Sequence, residues 1–439
     1  MLKAYHLVLS GLFLIAACGE KEIILEGDRL DHRAGISGET TEFQNRVQAV
    51  RLGAANSNDD WTHKNLSPDH AGGHLALADE LSQVFVADVG QGNTRRARIS
   101  ADPVASNGVI YVMDSLGTVS SVSNDGTLRW QTELSDLAGD NSVTSGGGLA
   151  IGGGKLLATT GFGEMIALDL MAGTIDWRQD LNATGLSAPT VLGDLAFVVD
   201  RESTAWAVNV GSGRIEWSAD ATPSRSSFGF GASVAANQRI AVIPFASGEI
   251  SAVFPRGGLE RWSSVVRGQR LGSAASTVSE ISGDPVIVGD KVYVGNFSGR
   301  IAALDLETGE RVWTALHGAT GPIWPAGDDL FAVNDLSQLI RLDARNGEAI
   351  WAVDLPDGRD NGSRLGWGRD REITAHYGPV LAGGRLIVAS SDGFLRSYNP
   401  VDGVLVSQVA LPSGAASRPI VVGGTLFVVT TEGQLAAFR

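Results

Sequence analysis

The 439-residue chain contains a single cysteine, Cys18, so neither an internal disulfide nor a cluster of thiolate metal ligands can form. It also lacks a long apolar run. The best candidate, residues 7–17, is about half as long as a membrane-spanning helix needs to be. Basic residues are scarce: 34 Lys and Arg face 49 Asp and Glu, a formal net charge of −15. This balance argues against binding nucleic acid or anionic lipid through charge.

Motifs of common enzymes are missing as well. The glycine-rich stretch at residues 146–155 has leucine at both positions where a P-loop needs glycine and a hydroxyl residue. His63, His70 and His74 are spaced to share one helix face, but Pro68 and two glycines between them prevent a helix. We therefore predict loop histidines without a metal, and no cofactor or catalytic residue in the chain.

Glycine, in contrast, is abundant, with 56 residues, and a hairpin phrase ending in tryptophan recurs along the chain. Its clearest copy is Ala303–Trp313, ALDLETGERVW, where two short β-type runs flank a Thr-Gly turn. A phrase that returns roughly every forty to fifty residues, with about four strands per repeat, is typical of a β-propeller. The copies end at Trp130, Trp177, Trp217, Trp262, Trp313 and Trp351.

Two incomplete copies extend the count to eight. The seventh ends at Ser407, where tryptophan would stand, and the eighth, Ser417–Phe438, supplies only three strands. Because an open sheet edge invites aggregation, we predict that Ser82–Val89 provides the missing strand, with Phe85 at the tryptophan position. The predicted fold is therefore all-β: an eight-bladed β-propeller of four-stranded antiparallel blades, closed by an N-terminal strand that completes the last blade.

The recurring residues themselves indicate structural roles, because a ligand platform or catalytic group is needed once and not in every blade. We expect each tryptophan to pack between blades, with its N–H on a backbone carbonyl of the neighbour. Asp169, Asp305 and Asp343 also recur at one phase, which predicts a turn or capping role. Ser407 predicts that the seventh blade packs differently or is covered.

The sequence of the N-terminus predicts a targeting segment. Residues 1–17 combine Lys3 with an apolar core and end in Leu-Ile-Ala-Ala before Cys18, which resembles the bacterial lipobox. We predict a signal peptide over residues 1–17 and acylation of Cys18, which anchors a chain without spanning the membrane. A plain secretory signal with a chance cysteine is the alternative.

Domain boundaries follow from these patterns. Residues 18–60 are polar and predict a flexible tether, and residues 61–439 predict the propeller. Across this boundary, Asp59–Leu77 resembles the leading segment of quinoprotein-type propellers, which packs over the outside of the ring.

The Ala303–Trp313 phrase resembles the tryptophan-docking motif of PQQ-type eight-bladed propellers, found in quinoprotein dehydrogenases and in the BamB family of outer-membrane lipoproteins. The whole chain, from lipobox to eighth repeat, resembles the BamB family. The resemblance implies a scaffold at the periplasmic face of the outer membrane. It would bind the POTRA domains of BamA and the rest of the Bam complex, and assist folding and insertion of β-barrel proteins. Unfolded outer-membrane protein strands are a further candidate partner.

Two other functions remain open from the sequence: a periplasmic PQQ-dependent oxidoreductase, and a surface propeller that binds carbohydrate or protein. The first conflicts with the residues, because quinoprotein alcohol dehydrogenases typically carry a vicinal cysteine pair and an acidic calcium site. The only cysteine here is Cys18. We therefore predict that the chain is not an enzyme.

In the BamB family, loops of neighbouring blades on one face of the ring contact BamA. The stretches that resemble these loops are Pro223–Gly231 and Ser276–Asp284, although the family's arginine and one of its two acidic residues are not kept in place. Phe228 and Phe230 have core packing at a blade edge as an alternative. The implied partner-binding residues are Arg225, Ser226, Phe228, Phe230, Glu280 and Ser282.

A long loop at Asp357–His376, with four arginines and Trp367, is a separate candidate. It would hold a partner or shield the seventh blade.

Overall fold

The computed structural model describes residues 43–134, 146–183, 185–224, 231–268, 278, 280–360 and 371–439. Strands, turns and loops make up these ranges, and no helix occurs among them. Accordingly, the described residues contain no helix that is long and apolar enough to cross a membrane.

Eight antiparallel sheets of four strands each confirm the predicted eight-bladed propeller. Seven blades use four consecutive strands, and the eighth is composite. The strands of blades 1 to 4 are Val104–Ser106, Val109–Met113, Thr118–Ser123 and Leu128–Glu133; Gly147–Gly152, Lys155–Thr160, Glu164–Asp169 and Ile175–Asp180; Thr190–Leu192, Leu195–Val199, Thr204–Asn209 and Ile215–Asp220; and Ala235–Ala236, Ala241–Pro244, Glu249–Val253 and Glu260–Val265. Those of blades 5 to 8 are Ile281–Val288, Lys291–Asn296, Arg300–Asp305 and Arg311–Ala315; Trp324–Ala326, Asp329–Val333, Gln338–Asp343 and Ala349–Asp354; His376–Ala382, Arg385–Ser390, Phe394–Tyr398 and Leu405–Ala410; and Ile420–Val422, Thr425–Val429, Gln434–Phe438 and Gln83–Asp88.

The first three strands of each blade are largely buried, and the fourth strand is the most exposed. In blade 1, Val109–Met113 is buried on both faces, whereas the outer strand Leu128–Glu133 is largely exposed. Apolar clusters join side chains of adjacent blades, such as Ile250 of blade 4 with Val294 of blade 5. The core is therefore divided into layers between blades, and each blade depends on its neighbours for burial.

The ring closes through the composite blade, as predicted. Gln83–Asp88 pairs antiparallel with Gln434–Phe438, and Phe85 lies opposite Ala437. Reciprocal backbone hydrogen bonds of 2.9 Å between Ser82 and Arg439 extend the pairing. Blade 8 thus combines strands from opposite parts of the sequence.

Each tryptophan of the repeat packs against the hairpin between strands 3 and 4 of the next blade. Trp351 is fully buried, and its Nε1 donates to the carbonyl of Pro400 at 3.1 Å. A Cβ on Gly403 of that hairpin would lie 2.9 Å from the indole, and its φ of +74° would strain any other residue. The other five indoles donate in the same way: Trp130 to Leu170, Trp177 to Val210, Trp217 to Pro255, Trp262 to Leu306 and Trp313 to Ala344.

The composite blade explains both departures from this pattern. Phe85 of blade 8 meets Gly126 of blade 1, where a Cβ would lie 2.8 Å from the phenyl ring. Ser407 of blade 7 pairs with Ser397 at the ladder position that tryptophan takes elsewhere, but it faces blade 8. Strands 3 and 4 of blade 8 are not joined by a hairpin, so no hairpin glycine and carbonyl await an indole there. The interface between blades 7 and 8 therefore lacks the indole contact of the other interfaces, which is the different packing predicted from Ser407.

The recurring acidic residues open the strand 3–4 hairpins. Asp305 Oδ1 accepts the backbone N–H groups of Glu307 and Thr308 at 3.0 and 2.8 Å, which also lowers the pKa of Asp305. Asp169 and Asp343 cap their hairpins through backbone N–H groups in the same way. These carboxylates are turn caps.

Contacts with the ring begin before the predicted boundary at residue 61. Arg46 N–H donates to the carbonyl of Ile350 at 3.0 Å. The Asn45 side chain donates to the carbonyl of Ala352 and accepts the N–H of Ala352, so this stretch runs along the outer strand of blade 6. Arg341, buried and paired with Asp329, donates to the carbonyls of residues 48 and 49. Of the predicted tether, residues 18–60, the part from 43 onward therefore contacts the ring, and residues 18–42 lie outside the described residues.

We predict that Trp351→Ala lowers the free energy of unfolding by about 3–5 kcal/mol, because a buried indole and its hydrogen bond are lost. Ser407→Trp is the matched control. With no hairpin to receive the indole, it should change stability by no more than about 0.5 kcal/mol. Urea unfolding of both variants measures this. A clear gain from Ser407→Trp would show that blade 8 does offer a docking site.

Candidate functional site

The antiparallel blades give the ring two different faces. Turns between strands 1 and 2 and between strands 3 and 4 lie on one face, which we call the hairpin face. Turns between strands 2 and 3 lie on the other, together with the connections from one blade to the next. This connection face carries the longest loops, including both stretches predicted to bind a partner.

The first predicted stretch is only partly described. Arg225, Ser226, Phe228 and Phe230 lie outside the described residues, so their partner-binding role stays a prediction. The stretch ends at Gly231, which borders a narrow crevice between blades 3, 4 and 5.

Glu280, from the second stretch, borders the same crevice and is 3% exposed. Asp200 adds a second carboxylate there, and burial raises the pKa of Asp200. Ser282 has a different environment, because its hydroxyl donates to the carbonyl of Ala319 at 2.5 Å. One residue from each predicted stretch, Gly231 and Glu280, thus borders a crevice that Asp200 and Arg201 also line, while the Ser282 hydroxyl is engaged within the ring.

The loop at 357–376 is held at its base. Arg359–Asp360 pairs with Arg371–Glu372 as a two-stranded ladder, and His376 contacts Ser390 Oγ at 2.8 Å. Trp367 lies outside the described residues.

The channel side of the ring is organised by residues 58–76, which we call the axial segment. It contacts the first, innermost strand of every blade or the turn that follows it, so the expectation that Asp59–Leu77 packs over the outside of the ring is wrong. Sequence periodicity could not reveal this, because the segment follows the ring and not a sheet. The bonds, from blade 8 round to blade 7, are Asn58 Nδ2–Val421 O, Trp61 N–Ala105 O, Ile151 N–Thr62 O, Val191 N–His63 Nε2, Ala236 N–Pro68 O, Ile287 N–Asp69 O, Trp324 Nε1–Gly73 O and Leu75 N–Leu381 O.

The three histidines of this segment serve packing and backbone contacts. His63 Nε2 accepts the N–H of Val191 at 2.9 Å, and burial lowers the pKa of His63 to about 3. His70 lies with its Nδ1 2.9 Å from the carbonyl of Pro285, and burial lowers its pKa as well. His74 bridges Gly53 and Gly384. All three side chains therefore contact backbone groups of distant residues.

Charged groups near the axis are arranged in pairs. Lys64 Nζ lies 2.9 Å from Asp284, whose carboxylate is fully buried and also accepts the N–H of Ser233. Burial would raise the pKa of Asp284, but Lys64 and Arg418 outweigh it and bring the pKa to about 2. Arg418 pairs with Asp102 at 2.8 Å.

These channel residues do not fit a quinone–calcium centre. Calcium needs several oxygen ligands, and Asp102 and Asp284, two carboxylates near the axis, are already held by cations. Within the described ranges, no group of three or more His, Cys, Asp or Glu residues is placed to hold a metal ion.

Known proteins resemble this chain in sequence and in fold. The sequence profile of a family described as outer membrane protein assembly factor BamB matches residues 115–353 and 342–439, most of the chain. The chain belongs to the BamB family.

Curated relatives carry the same name. BamB of Shewanella oneidensis is 26% identical over 343 residues, which cover 76% of this chain and 83% of the relative. BamB of Yersinia pestis is 26% identical over 337 residues, 75% of this chain and 81% of the relative. These BamB relatives are named as assembly factors and not as enzymes.

Solved structures share the BamB fold. BamB from Moraxella catarrhalis superimposes with a TM-score of 0.68 at 21% identity, covering 82% of this chain and 100% of that one. A europium-containing methanol dehydrogenase reaches a TM-score of 0.63 at 14% identity, covering 87% and 98%. At these identities the likeness concerns the fold alone, which assembly factors and dehydrogenases share.

The buried histidines predict that acid destabilises the ring. Below pH 6.5 the unfolded chain protonates His63, whereas the folded chain does so only near pH 3. Stability therefore falls by about 1.4 kcal/mol per pH unit between these values from this group, and His70 adds in the same direction. His63→Gln should therefore reduce the fall in the free energy of unfolding by about 1.4 kcal/mol per pH unit in this range. Urea unfolding at several pH values tests this, and an unchanged slope would contradict it.

Proposed function

We propose that this chain is a non-catalytic scaffold lipoprotein of the outer-membrane β-barrel assembly complex. It acts at the periplasmic face, anchored through acylated Cys18, and its connection face binds the POTRA domains of BamA. Through this contact it assists the folding and insertion of β-barrel proteins. Membership of the BamB family carries the proposal.

The connection face supports this role physically. Gly231 and Glu280, one residue from each of the two predicted stretches, border the same crevice. Loops held by a rigid ring can present side chains in a fixed arrangement, which lowers the entropy cost of binding.

A membrane anchor follows from the same proposal. An acylated Cys18 holds the chain at the membrane, and residues 19–42 separate it from the first ring contacts at residues 43–46. A chain of this length can extend over several tens of ångströms, enough to separate ring and membrane.

Co-purification tests the complex. The tagged full-length protein, extracted in detergent from its own membranes, should recover BamA. Cys18→Ser should leave the protein in the soluble fraction after cell breakage, because the lipid attachment site is gone. A clean preparation that never contains BamA would overturn the scaffold role, and a membrane-bound Cys18→Ser variant would overturn the anchor.

A loop variant tests the proposed contact. Phe228→Asp should weaken BamA binding by about tenfold or more, as expected for an apolar anchor at an interface, with the thermal midpoint nearly unchanged. Phe162→Asp is the control, because Phe162 is exposed on the connection face in blade 2, away from the predicted contact. A large loss of thermal stability in Phe228→Asp would place this side chain in the core.

A further inference from the structure

The strand 3–4 hairpin of blade 4 departs from its counterparts. It begins with Phe254, which cannot cap the turn, yet Phe254 N–H still donates to Leu259 at 3.0 Å and Gly258 N–H to Phe254 at 3.2 Å. The hairpin therefore keeps its backbone geometry and gives up a capping hydrogen bond. In blades 2, 3, 5, 6 and 7 the capping residue accepts one or more backbone N–H groups: Asp169, Asn209, Asp305, Asp343 and Asn399.

This hairpin exposes apolar side chains in place of polar ones. Phe254 is 42% exposed and Leu259 is 69% exposed. One face of the Phe254 ring is covered by Arg261, whose guanidinium lies 5.7 Å from the ring centroid. Phe254 thus replaces the turn-capping residue without becoming buried in return. Such a departure from the local pattern is typical of a residue that takes part in binding. At the position of Leu259, blades 2, 3, 5 and 6 carry Thr174, Arg214, Glu310 and Glu348, whereas blade 7 carries Val404.

Phe254 and Leu259 line a groove on the hairpin face between blades 3 and 4. Its free volume is about 490 Å³, within the range of binding cavities. Leu192 and Leu195 of blade 3 form the opposite apolar wall, and Arg256 stands at the rim. A shape of this kind accepts one large apolar side chain.

The rim of the groove is positively charged. Arg256 pairs with Asp194 at 2.9 Å, and Arg239 pairs with Glu307 at 2.8 Å. Arg261 shares Glu307, so three guanidinium groups face two carboxylates on a chain whose net charge is −15. The Arg256 side chain is 81% exposed, and exposed pairs of this kind contribute little, so an incoming carboxylate can replace one at small cost.

We propose that this groove binds an extended segment of a partner protein that inserts one large apolar side chain next to acidic residues. The apolar walls take the side chain, and the arginines of the rim take the acidic groups. The site lies on the hairpin face and the predicted BamA contact on the connection face. The proposal is thus independent of the proposed function.

Phe254→Asn provides a test that separates binding from folding. The substitution restores the capping residue of the other hairpins, so the thermal midpoint should stay the same or rise. The probe is a fluorescently labelled, acetylated pentapeptide amide with a central phenylalanine between two glutamates and terminal glycines. Its binding to the full-length protein in detergent, measured by anisotropy, should weaken about tenfold or more in Phe254→Asn. Met171→Asn is the matched control, because Met171 is 68% exposed on the hairpin of blade 2, outside the groove.

Two altered peptides test which chemical groups the groove recognises. Replacing the central phenylalanine by alanine, or both glutamates by lysines, should each abolish most of the binding, and added salt should weaken it. Equal binding of all three peptides, or of the probe to wild type and Phe254→Asn, would overturn the proposal. Concentration-dependent dimerisation that Phe254→Asn abolishes would overturn it in favour of a second copy of this chain as the occupant.

Discussion

Ring closure is the constraint on which the rest of this structure depends. Each blade is a sheet whose two faces are covered only by its neighbours, so a single open interface would expose apolar surface on both sides of the gap. Two devices meet this constraint. The strand Gln83–Asp88 completes the sheet of the last blade, and residues 58–76 hydrogen bond to every blade near the axis. Because both devices come from the same N-terminal stretch, this part of the chain joins the first and last blades of the ring.

The interfaces between blades repeat one arrangement, an aromatic ring against a positive-φ glycine with an N–H on the hairpin carbonyl. The two exceptions to this arrangement follow from the way in which blade 8 closes the ring. Phe85 keeps the packing without the N–H, and Ser407 faces a blade whose outer strands are not joined by a hairpin. This arrangement stabilises most blade interfaces in the same way. A residue that departs from the repeat without a structural reason is therefore a candidate for binding. Phe254 is such a residue, and Ser407 is not.

The two faces of the ring divide the surface into regions with different chemistry. On the connection face, Glu280, Asp200 and Arg201 border a crevice between blades. On the hairpin face, apolar walls with Arg256 and Arg239 form a groove. The rigid ring holds these two regions on opposite faces.

The sequence by itself determined the number of blades, the four-strand repeat, the composite blade and the role of the acidic turn caps, because these are local patterns that return in every repeat. Tertiary structure alone decided the course of residues 58–76, since a segment that bonds to each blade in turn has no periodicity to read. It also decided why Ser407 is not tryptophan, because the reason lies in a neighbouring blade built from the other end of the chain. The same holds for the groove beside Phe254, whose walls come from blades that meet only in the folded ring.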